Sequence, residues 1–545
     1  MSVLTADLGR LFRERIVPNL RAMWNDRSPL IWLVALVIGV AGAYGILAFR
    51  EGIGAVQWLW LGDGHEHLTA SLAGAIPWWL VIAGPVCGGL AVGLLLQYVM
   101  PTRRAHAVAD VIEAEALGGA RIPLRSGFWS AVISAVSLGS GASAGREGPA
   151  VHLGAAIASM LCRKFGFVTA TRRVILGCGA AAAVSASFNA PIAGVLFAHE
   201  VVLAHYAPSA FIPLVISSVS AAVFTRLHLG DFPAFIIPSY QITSYWEFPA
   251  FALLGLTCGL VAACFQFSVM TADWTARQIR CPLWVRPVVG GVLVGAIAIY
   301  VPEVLGVGYE ATNLALHQKL SLGLLFTLLF AKTAATAVTL ASRFGGGVFS
   351  PSIYLGAMTG GAFGVIAASV FPEAASSQGL YAILGMGAVA GAVLGAPISS
   401  VLVVVELTGG FDMTMAVLVA VSISWGVMQA VHGQSFFHWQ LSTRGVLLQG
   451  GPHRRVMRTL TVASFMTPLT PEEEAEPPAL EPDLPTLTPD TTLGTALRTF
   501  NARGYSRIAV VDPDEETRIV GWADYVAALN TFNTALIEAE QEEHR

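Results

Sequence analysis

Long uncharged stretches dominate the first 430 residues of the chain. Ile31–Phe49 and Trp78–Met100 contain no charged residue, and each is long enough to cross a bilayer core, which takes about 20 helical residues. Many later apolar segments are shorter and are interrupted by glycine or proline. Half-length helices are tolerated in a membrane only where protein or a water-filled cavity satisfies the freed backbone groups. The pattern predicts an all-α polytopic membrane protein with broken helices.

The composition supports an integral, multi-pass membrane protein. The 545 residues are 55% hydrophobic and 12% charged, against about 25% charged in soluble domains. Six scattered cysteines show no paired spacing, so we interpret them as apolar packing residues and expect no metal and no cofactor. Arginines flank the first and last apolar segments, which predicts cytoplasmic N- and C-termini. These arginines are Arg10, Arg13, Arg15, Arg21 and Arg27 on one side, and Arg444, Arg454, Arg455 and Arg458 on the other.

One motif occurs twice, about 200 residues apart. Gly145–Ala155 and Gly347–Ala357 each read Gly, three residues, Pro, three residues, then Leu-Gly-Ala. A second pair of matching motifs follows. Ala190-Pro191 precedes Glu200, and Ala396-Pro397 precedes Glu406 at the same spacing. Broken helices at matching places in two repeats indicate a transport site near the middle of the bilayer.

The second copy has the chemistry of an anion site. Proline is favoured in the first turn of a helix, so Pro351 predicts a helix start. The residues before it, Val348 and Phe349, would then present free backbone N–H groups at the positive end of the helix dipole. Glycines such as Gly347 allow close approach. The alternative for a single such turn is tight helix packing, and the duplication favours the anion site.

The first copy differs by a carboxylate at the helix start. Glu147 can occupy the place that a mobile anion would use, and protonation would remove its charge and free it to move. We therefore predict that Glu147 is a gate and proton acceptor, because ionisable residues inside a membrane are functional candidates. The alternative is a simple capping glutamate.

These motifs together resemble the CLC family of chloride channels and proton-coupled chloride exchangers. The matching residues are Gly145–Pro149, Gly346–Pro351 and Asn189-Ala190-Pro191 with Glu200, over about residues 30–450. The resemblance implies two inverted repeats of short, tilted helices and a homodimer with one anion pathway in each subunit. It matches Glu147 to the gating glutamate and the amides of Val348 and Phe349 to the central anion site. The remaining motif residues that we assign to anion binding are Gly145, Arg146, Gly148 and Gly347.

Three departures from the family pattern bear on mechanism. His106 stands where the family often has an anion-binding serine, and Phe437 aligns with the pore tyrosine, so both hydroxyls are missing. We include His106 and Phe437 among the anion-binding candidates, with packing as the alternative role of His106. Exchangers commonly carry an inner glutamate just after the position of Glu200, and here that residue is Val201.

The remaining buried-looking polar residues are interpreted as structural. We expect His152 and His199 to pack within the protein, Glu200 and Glu406 to have structural or vestibule roles, and Lys332 to extend its ammonium group towards the membrane surface.

The domain boundaries follow composition. We predict a cytoplasmic N-terminal helix at 1–29, membrane repeats at 30–227 and 248–450, an acidic, proline-rich linker at 467–485, and a cytoplasmic region at 456–545 that resembles a single CBS module. This small α/β module is predicted to have a helix at Thr491–Ala502, strands at Ile508–Val511 and Arg518–Gly521, and a helix at Tyr525–Leu529. Its nucleotide pattern is shortened to Gly521–Asp524, so we expect no nucleotide binding there.

The sequence favours uncoupled, channel-like conduction of chloride or similar small anions. A chloride/proton antiporter remains the alternative, with protons as a second substrate, and an organic solute carrier is a remote third. No catalytic motif is present, so we predict that the protein is not an enzyme. We expect a homodimer in the lipid bilayer, in a bacterial inner membrane, without nucleic-acid partners.

Overall fold

The computed structural model describes residues 15, 17–25, 27–117, 119–230, 235, 240, 242–373, 375–409, 413–446, 448, 456–457, 460–471, 473, 484–513, 515 and 518–544. The chain divides into two compact units, residues 1–440 and 441–545. Residues 1–14 of the predicted N-terminal helix lie outside the described residues.

The helices that precede the C-terminal module differ widely in length. They are α1 (Val17–Asn25), α2 (Ser28–Leu61), α3 (Thr69–Ala75), α4 (Trp78–Tyr98), α5 (Val108–Ala116), α6 (Leu124–Gly139), α7 (Glu147–Arg163), α8 (Thr169–Phe188), α9 (Pro191–Phe197), α10 (Pro208–Leu229), α11 (Phe248–Gln278), α12 (Val285–Tyr300), α13 (Tyr309–Leu316), α14 (Leu322–Ala341), α15 (Phe349–Val370), α16 (Gln378–Leu394), α17 (Pro397–Thr408), α18 (Thr414–Val431) and α19 (Phe436–Ser442).

Seven helical segments within the described ranges are long and apolar enough to cross a membrane. The first two, Ser28–Leu61 and Trp78–Tyr98, contain the spans predicted from the uncharged runs. Shorter apolar helices follow, among them Gln378–Leu394 and Pro397–Thr408. The mixture of full and short helices confirms the predicted polytopic architecture.

The two motif copies occupy equivalent places in the order of helices of the two repeats. In the first repeat, α6 leads through the motif into α7, followed by α8 and α9, and in the second α14 leads into α15, followed by α16 and α17. The motif helix packs closely on the next helix both times, because a Cβ at Gly154 would lie 2.3 Å from the carbonyl oxygen of Gly179, and one at Gly356 would lie 2.2 Å from that of Gly385. Only glycine permits backbones to approach this closely.

The repeated glutamates hold the two halves together reciprocally. Glu200 of the first repeat accepts a hydrogen bond of 2.8 Å from the N–H of Ser399, in the first turn of α17. Glu406 of the second repeat accepts one of 2.7 Å from the N–H of Ala193, in the first turn of α9. Each carboxylate therefore caps a helix of the opposite repeat, in keeping with the structural role expected for both.

We expect Glu406→Gln to destabilise the membrane unit modestly. The amide keeps one acceptor oxygen but loses the charge that interacts with the positive end of α9, which is typically a loss of about 1 kcal/mol. The melting temperature in detergent measures this, with Glu51→Gln, an exposed position, as the matched control. Equal melting temperatures for the two variants would contradict a capping role.

Lys332 corrects an expectation from the sequence. Its side chain does not extend to the membrane surface but is fully buried in α14. The ammonium nitrogen donates hydrogen bonds of 2.9 Å to the carbonyl oxygens of Val304 and Gly306 and lies 5.1 Å from the centre of the Tyr354 ring. Lys332 thus fixes the turn that leads into α13. The sequence could not indicate this because the bonded carbonyls belong to a distant turn.

The second unit is a small α/β module. Its sheet has the order β1-β4-β3-β2, formed by β1 (Thr467–Pro468), β2 (Thr486–Leu487), β3 (Arg507–Val511) and β4 (Ile519–Asp524). β3 pairs antiparallel with β4 and parallel with β2. Helices α20 (Leu493–Arg503) and α21 (Tyr525–His544) complete the module. The first helix and both predicted strands agree with the structure to within three residues at each end, whereas the second helix, predicted as Tyr525–Leu529, continues to His544.

Two short strands of the module were missed from the sequence. Pro468 pairs with Gly521 in β4, so the sheet begins inside the range predicted as a linker. Residues 474–483 of that range lie outside the described residues. A strand of two residues has no alternation of polar and apolar positions, so its pairing could not be read from the sequence.

Candidate functional site

The two motif copies lie side by side in the structure. The N–H of Gly145 donates to the carbonyl of Gly347 at 2.7 Å, and the N–H of Gly347 donates back to the carbonyl of Gly145 at 2.7 Å. This isolated antiparallel bridge joins residues that are 202 positions apart. The site is therefore built from both repeats.

Both motifs begin helices, as predicted. α7 begins at Glu147 and α15 at Phe349, in each case two residues before the motif proline. Pro149 and Pro351 thus lie in the first turn, where a missing N–H costs no hydrogen bond. The amides of the first turn remain available for a ligand.

Three helix N-termini surround a cavity of about 20 Å³. Ala107 and Val108 come from the start of α5, Glu147 and Gly148 from α7, and Val348 and Phe349 from the start of α15. Such a volume holds about one water molecule or one small ion. The full lining is Ala107, Val108, Glu147, Gly148, Val151, Val184, Phe197, Leu340, Gly346, Gly347, Val348, Phe349, Phe436, Phe437 and Gln440.

The cavity suits an anion without a basic side chain. Among the described residues that line it, none is lysine, arginine or histidine. The positive ends of α5, α7 and α15 supply the field, and each end amounts to about half an elementary charge. A site of this kind binds a halide through amides and dipoles, which permits fast release.

Aromatic side chains form the apolar wall. The ring of Phe349 packs against Phe188 at a centroid distance of 4.9 Å and against Phe197 at 6.2 Å. The Phe349 side chain therefore packs inside the protein, and its backbone amide remains available for a ligand. Phe436 and Phe437 complete the wall from α19.

Glu147 is almost completely buried beside the cavity, with 1% of its surface exposed. One carboxylate oxygen accepts a hydrogen bond from the hydroxyl of Ser350, in the opposite repeat. The other oxygen, Oε2, has no hydrogen-bond partner within the described part of the chain. It lies against Gly145, where an added Cβ would be only 2.6 Å from it, so glycine is needed for this carboxylate position.

A second cavity lies on the other side of Ser350. It measures about 10 Å³, and its lining includes Ser350, Gly308 and Tyr309. Glu147 lines the first cavity, Ser350 lines the second, and the two side chains are hydrogen-bonded to each other. This hydrogen bond thus joins a residue of the first cavity to a residue of the second.

Arg146 supports this region from the side. Its guanidinium forms an ion pair with Glu66 and donates bonds of 3.1 Å to the hydroxyl of Tyr309 and to the carbonyl of Ser187. The side chain does not line the first cavity. Sequence reasoning missed Glu66 and Tyr309, because nothing in the motif identifies partners so far along the chain.

The structure brings together most of the predicted site residues. Glu147, Gly148, Gly347, Val348, Phe349 and Phe437 line the cavity, whereas Gly145, Arg146 and His106 are not among its lining residues, although residues one or two positions further along the chain are. The His106 ring is hydrogen-bonded to Thr102, with 2.8 Å between Nε2 and Oγ1. Sequence reasoning also missed Ser350. The available signal was its hydroxyl in the second motif copy, which lies opposite the carboxylate of the first copy.

These features are those of a membrane protein with a small cavity between helix ends, of the kind that transport proteins use. The family model for the voltage gated chloride channel matches residues 88–429, and that for the CBS domain matches residues 479–525.

Curated relatives extend over most of the chain. A ClcB-like chloride channel protein of Ralstonia nicotianae is 34% identical over 71% of this chain and 91% of its own length. The voltage-gated ClC-type chloride channel ClcB of Escherichia coli is 28% identical over 74% of this chain and 97% of its own length.

Solved structures have the same fold. A slow cyanobacterial Cl⁻/H⁺ antiporter covers 77% of this chain and 98% of its own, with a TM-score of 0.67 and 19% identity. A eukaryotic CLC transporter covers 92% of this chain and 98% of its own, with a TM-score of 0.66 and 18% identity.

The chain belongs to the CLC family of voltage-gated chloride channels and carries a C-terminal CBS module. Its function is CLC-type chloride transport, in a family of channels and transporters rather than of enzymes. It is an integral, multi-pass membrane protein.

Proposed function

We propose that the protein conducts chloride or similar small anions through the cavity between the two motifs, with Glu147 as the gate, and without coupling to protons. The observation that carries this proposal is the hydrogen bond between Glu147, which lines the first cavity, and Ser350, which lines the second. A charged carboxylate at this place competes with the anion for the same helix ends. Protonation removes its charge and allows the side chain to leave.

Two features favour uncoupled conduction. Val201 is a buried, apolar residue where exchangers of this family commonly have an inner carboxylate. The neighbouring Glu200 already accepts hydrogen bonds from the backbone of Ile398 at 3.2 Å and Ser399 at 2.8 Å. A carboxylate held in this way is poorly suited to carrying protons.

Conduction also benefits from a weak central site. Phe437 lines the cavity and contributes no hydroxyl, so the anion depends on amides and helix dipoles. Weaker binding shortens the residence of each ion and favours conduction. The alternative, a chloride/proton antiporter, is supported by the fold shared with the cyanobacterial Cl⁻/H⁺ antiporter.

The assembly and location follow from the family and the charges. We propose a homodimer in a bacterial inner membrane, each subunit with its own pathway, and both termini in the cytoplasm because of the flanking arginines. We also propose the domain ranges that were predicted from composition.

In the CBS module the indole N–H of Trp522 donates to Glu473 at 3.3 Å, and the Trp522 ring lies under Arg507. These contacts favour a structural role of Trp522 over nucleotide binding by the module.

Flux measurements in liposomes test the proposed function. The purified protein is reconstituted, a chloride gradient is imposed, and chloride efflux and external pH are recorded together. We expect chloride efflux without uphill proton movement. Proton movement driven by the chloride gradient would establish the antiporter instead, and failure of chloride to move while an organic anion does would favour a solute carrier.

A further inference from the structure

A groove of about 650 Å³ lies on the membrane unit and shares no lining residue with either cavity of the candidate site. Its walls come from three helices, α2, α6 and α7. Sites for small organic ligands typically measure about 300–1,000 Å³. The groove is therefore large enough to hold a ligand, and the chloride pathway does not account for it.

Small residues on α2 leave the groove open. Gly45, Ala48 and Gly52 line it at spacings of three and four, which places them on one face of the helix. Ile157 of α7 packs against this face, because a Cβ added at Gly45 would lie 3.0 Å from its Cδ1. At these three positions α2 therefore carries no side chain that could fill the space between the helices.

The groove opens towards the lipid. α2 belongs to Ser28–Leu61, a segment long and apolar enough to cross the membrane. Ala48 on α2 is exposed, and Phe128 on α6 is 53% exposed. Among the described residues that line the groove, all except Arg125 are apolar or glycine. A lining of this kind is unfavourable for water and accepts a hydrocarbon chain.

One end of the groove carries a positive charge. Arg125 lies in the first turn of α6, is exposed, and has no hydrogen-bond or ion-pair partner among the described residues. Its helix begins after Pro123 without a side-chain cap, so the first amides of α6 remain available to an anion such as phosphate. Arg121, four positions before Arg125, is exposed as well. This end therefore matches a negatively charged headgroup.

The length of the groove fits one leaflet of a bilayer. Along α6 the lining continues from Arg125 to Ala135, ten residues further on, which is about 15 Å of helix. The far end is apolar, because Gly52 of α2 meets Ala135 there, with 3.6 Å between an added Cβ and that of Ala135. A hydrocarbon core of about 30 Å gives each leaflet about 15 Å. A lipid whose phosphate contacts Arg125 can therefore lay one acyl chain along the whole groove.

We propose that the groove binds one anionic phospholipid of the surrounding bilayer, with its phosphate at Arg125 and the start of α6 and one acyl chain against α2, α6 and α7. The chain supplies the apolar contacts that Gly45, Ala48 and Gly52 do not make, and the arginine distinguishes anionic from zwitterionic headgroups. This binding goes beyond anion conduction and does not depend on whether chloride movement is coupled to protons.

The bound lipid supports the helices on both sides of the first motif. α6 leads into the motif, and α7 begins with Glu147. Leu153 and Ile157 of α7 line the groove, so the acyl chain joins this helix to α2. A ligand that binds only the folded protein stabilises it by mass action. We therefore expect anionic phospholipid to raise the melting temperature of the protein in detergent.

Lipid titration of the purified, delipidated full chain tests the proposal. Phosphatidylglycerol and phosphatidylcholine with identical acyl chains are compared, and native mass spectrometry gives the Kd of the first bound lipid. We expect the Kd of phosphatidylglycerol to be about fivefold lower, the ratio that corresponds to one arginine beside an anionic headgroup. Arg125→Gln should remove this preference, whereas Arg125→Lys should keep it. Ala48→Phe places a ring in the groove and should raise the Kd of both lipids about tenfold or more, because the acyl chain loses buried methylene groups.

Two matched controls lie outside the groove. Arg280→Gln removes an exposed arginine after α11, and Ala368→Phe adds a ring at an exposed alanine of α15, and both variants should bind lipid as the wild type does. Equal Kd values of the two lipids in the wild type, or a preference that persists in Arg125→Gln, would overturn the proposal. A changed oligomeric state of Ala48→Phe with unchanged lipid binding would assign the groove to a second copy of the chain and would also overturn it.

Discussion

Glu147→Gln should remove most of the pH dependence of chloride flux. In the wild-type protein a carboxylate that lines the first cavity is hydrogen-bonded to Ser350, which lines the second, so flux should rise as protonation removes its charge. Above the pKa of a carboxyl group, the protonated fraction rises about tenfold for each unit by which the pH falls. We expect an increase of about tenfold between pH 7.5 and 4.5 in the wild type, and of less than about twofold in the variant.

The matched control is another glutamate that binds helix amides and lines neither cavity. Glu310 accepts the N–H of Ala70 at 2.9 Å, so Glu310→Gln also removes a charge from a helix start. It should retain the wild-type response. Chloride flux through planar bilayers, with pH varied on one side, measures both. A full pH response in Glu147→Gln would show that another group is the gate, and an equal loss in both variants would indicate a general effect of charge.

The duplicated motif made the core of the site predictable from sequence. In both copies a glycine is followed by a proline in the first turn of a helix. The conformational preferences of these two residues are local and do not depend on the rest of the chain. The positions of Val348 and Phe349 at a helix start, and the place of Glu147 opposite them, therefore agree with the structure.

Partners that are distant in the chain were not predictable. The bonds from Arg146 to Glu66 and Tyr309 join three separate segments, and nothing in the composition of those segments indicates their pairing. The same is true of Lys332, whose two carbonyl partners lie in a turn about 30 residues earlier. Long-range contacts depend on how the two repeats pack, which the local pattern does not contain.

In the C-terminal module, too, locally determined elements were predictable and long-range pairings were not. Arg507–Val511 and Ile519–Asp524 contain the two strands that were predicted from their β-branched residues, which are a local signal, and they pair antiparallel. The strand at Thr486–Leu487 exists only through its parallel pairing with β3. Strands of this length are defined by their neighbours and not by their own sequence.

Removal of the backbone N–H at the start of α15 should abolish most chloride conduction. The ring of Phe349 is held between Phe188 and Phe197, while the first turn of its helix borders the cavity. The amides, and not the side chains, should therefore hold the anion. Val348→Pro deletes one donor, and we expect flux to fall at least about tenfold, as is typical for loss of one donor to a buried anion. Phe349→Leu should keep flux within about threefold.

Replacement of the Phe349 residue by its α-hydroxy acid separates the amide from the effects of proline. This change turns the N–H into an ester oxygen and leaves the ring and its packing in place, so a fall in flux can be assigned to the lost donor. Gel filtration and the melting temperature in detergent report whether each variant is folded. A folded ester variant with wild-type flux would contradict amide binding, and an equal loss in Phe349→Leu would show that the packing of the ring governs conduction.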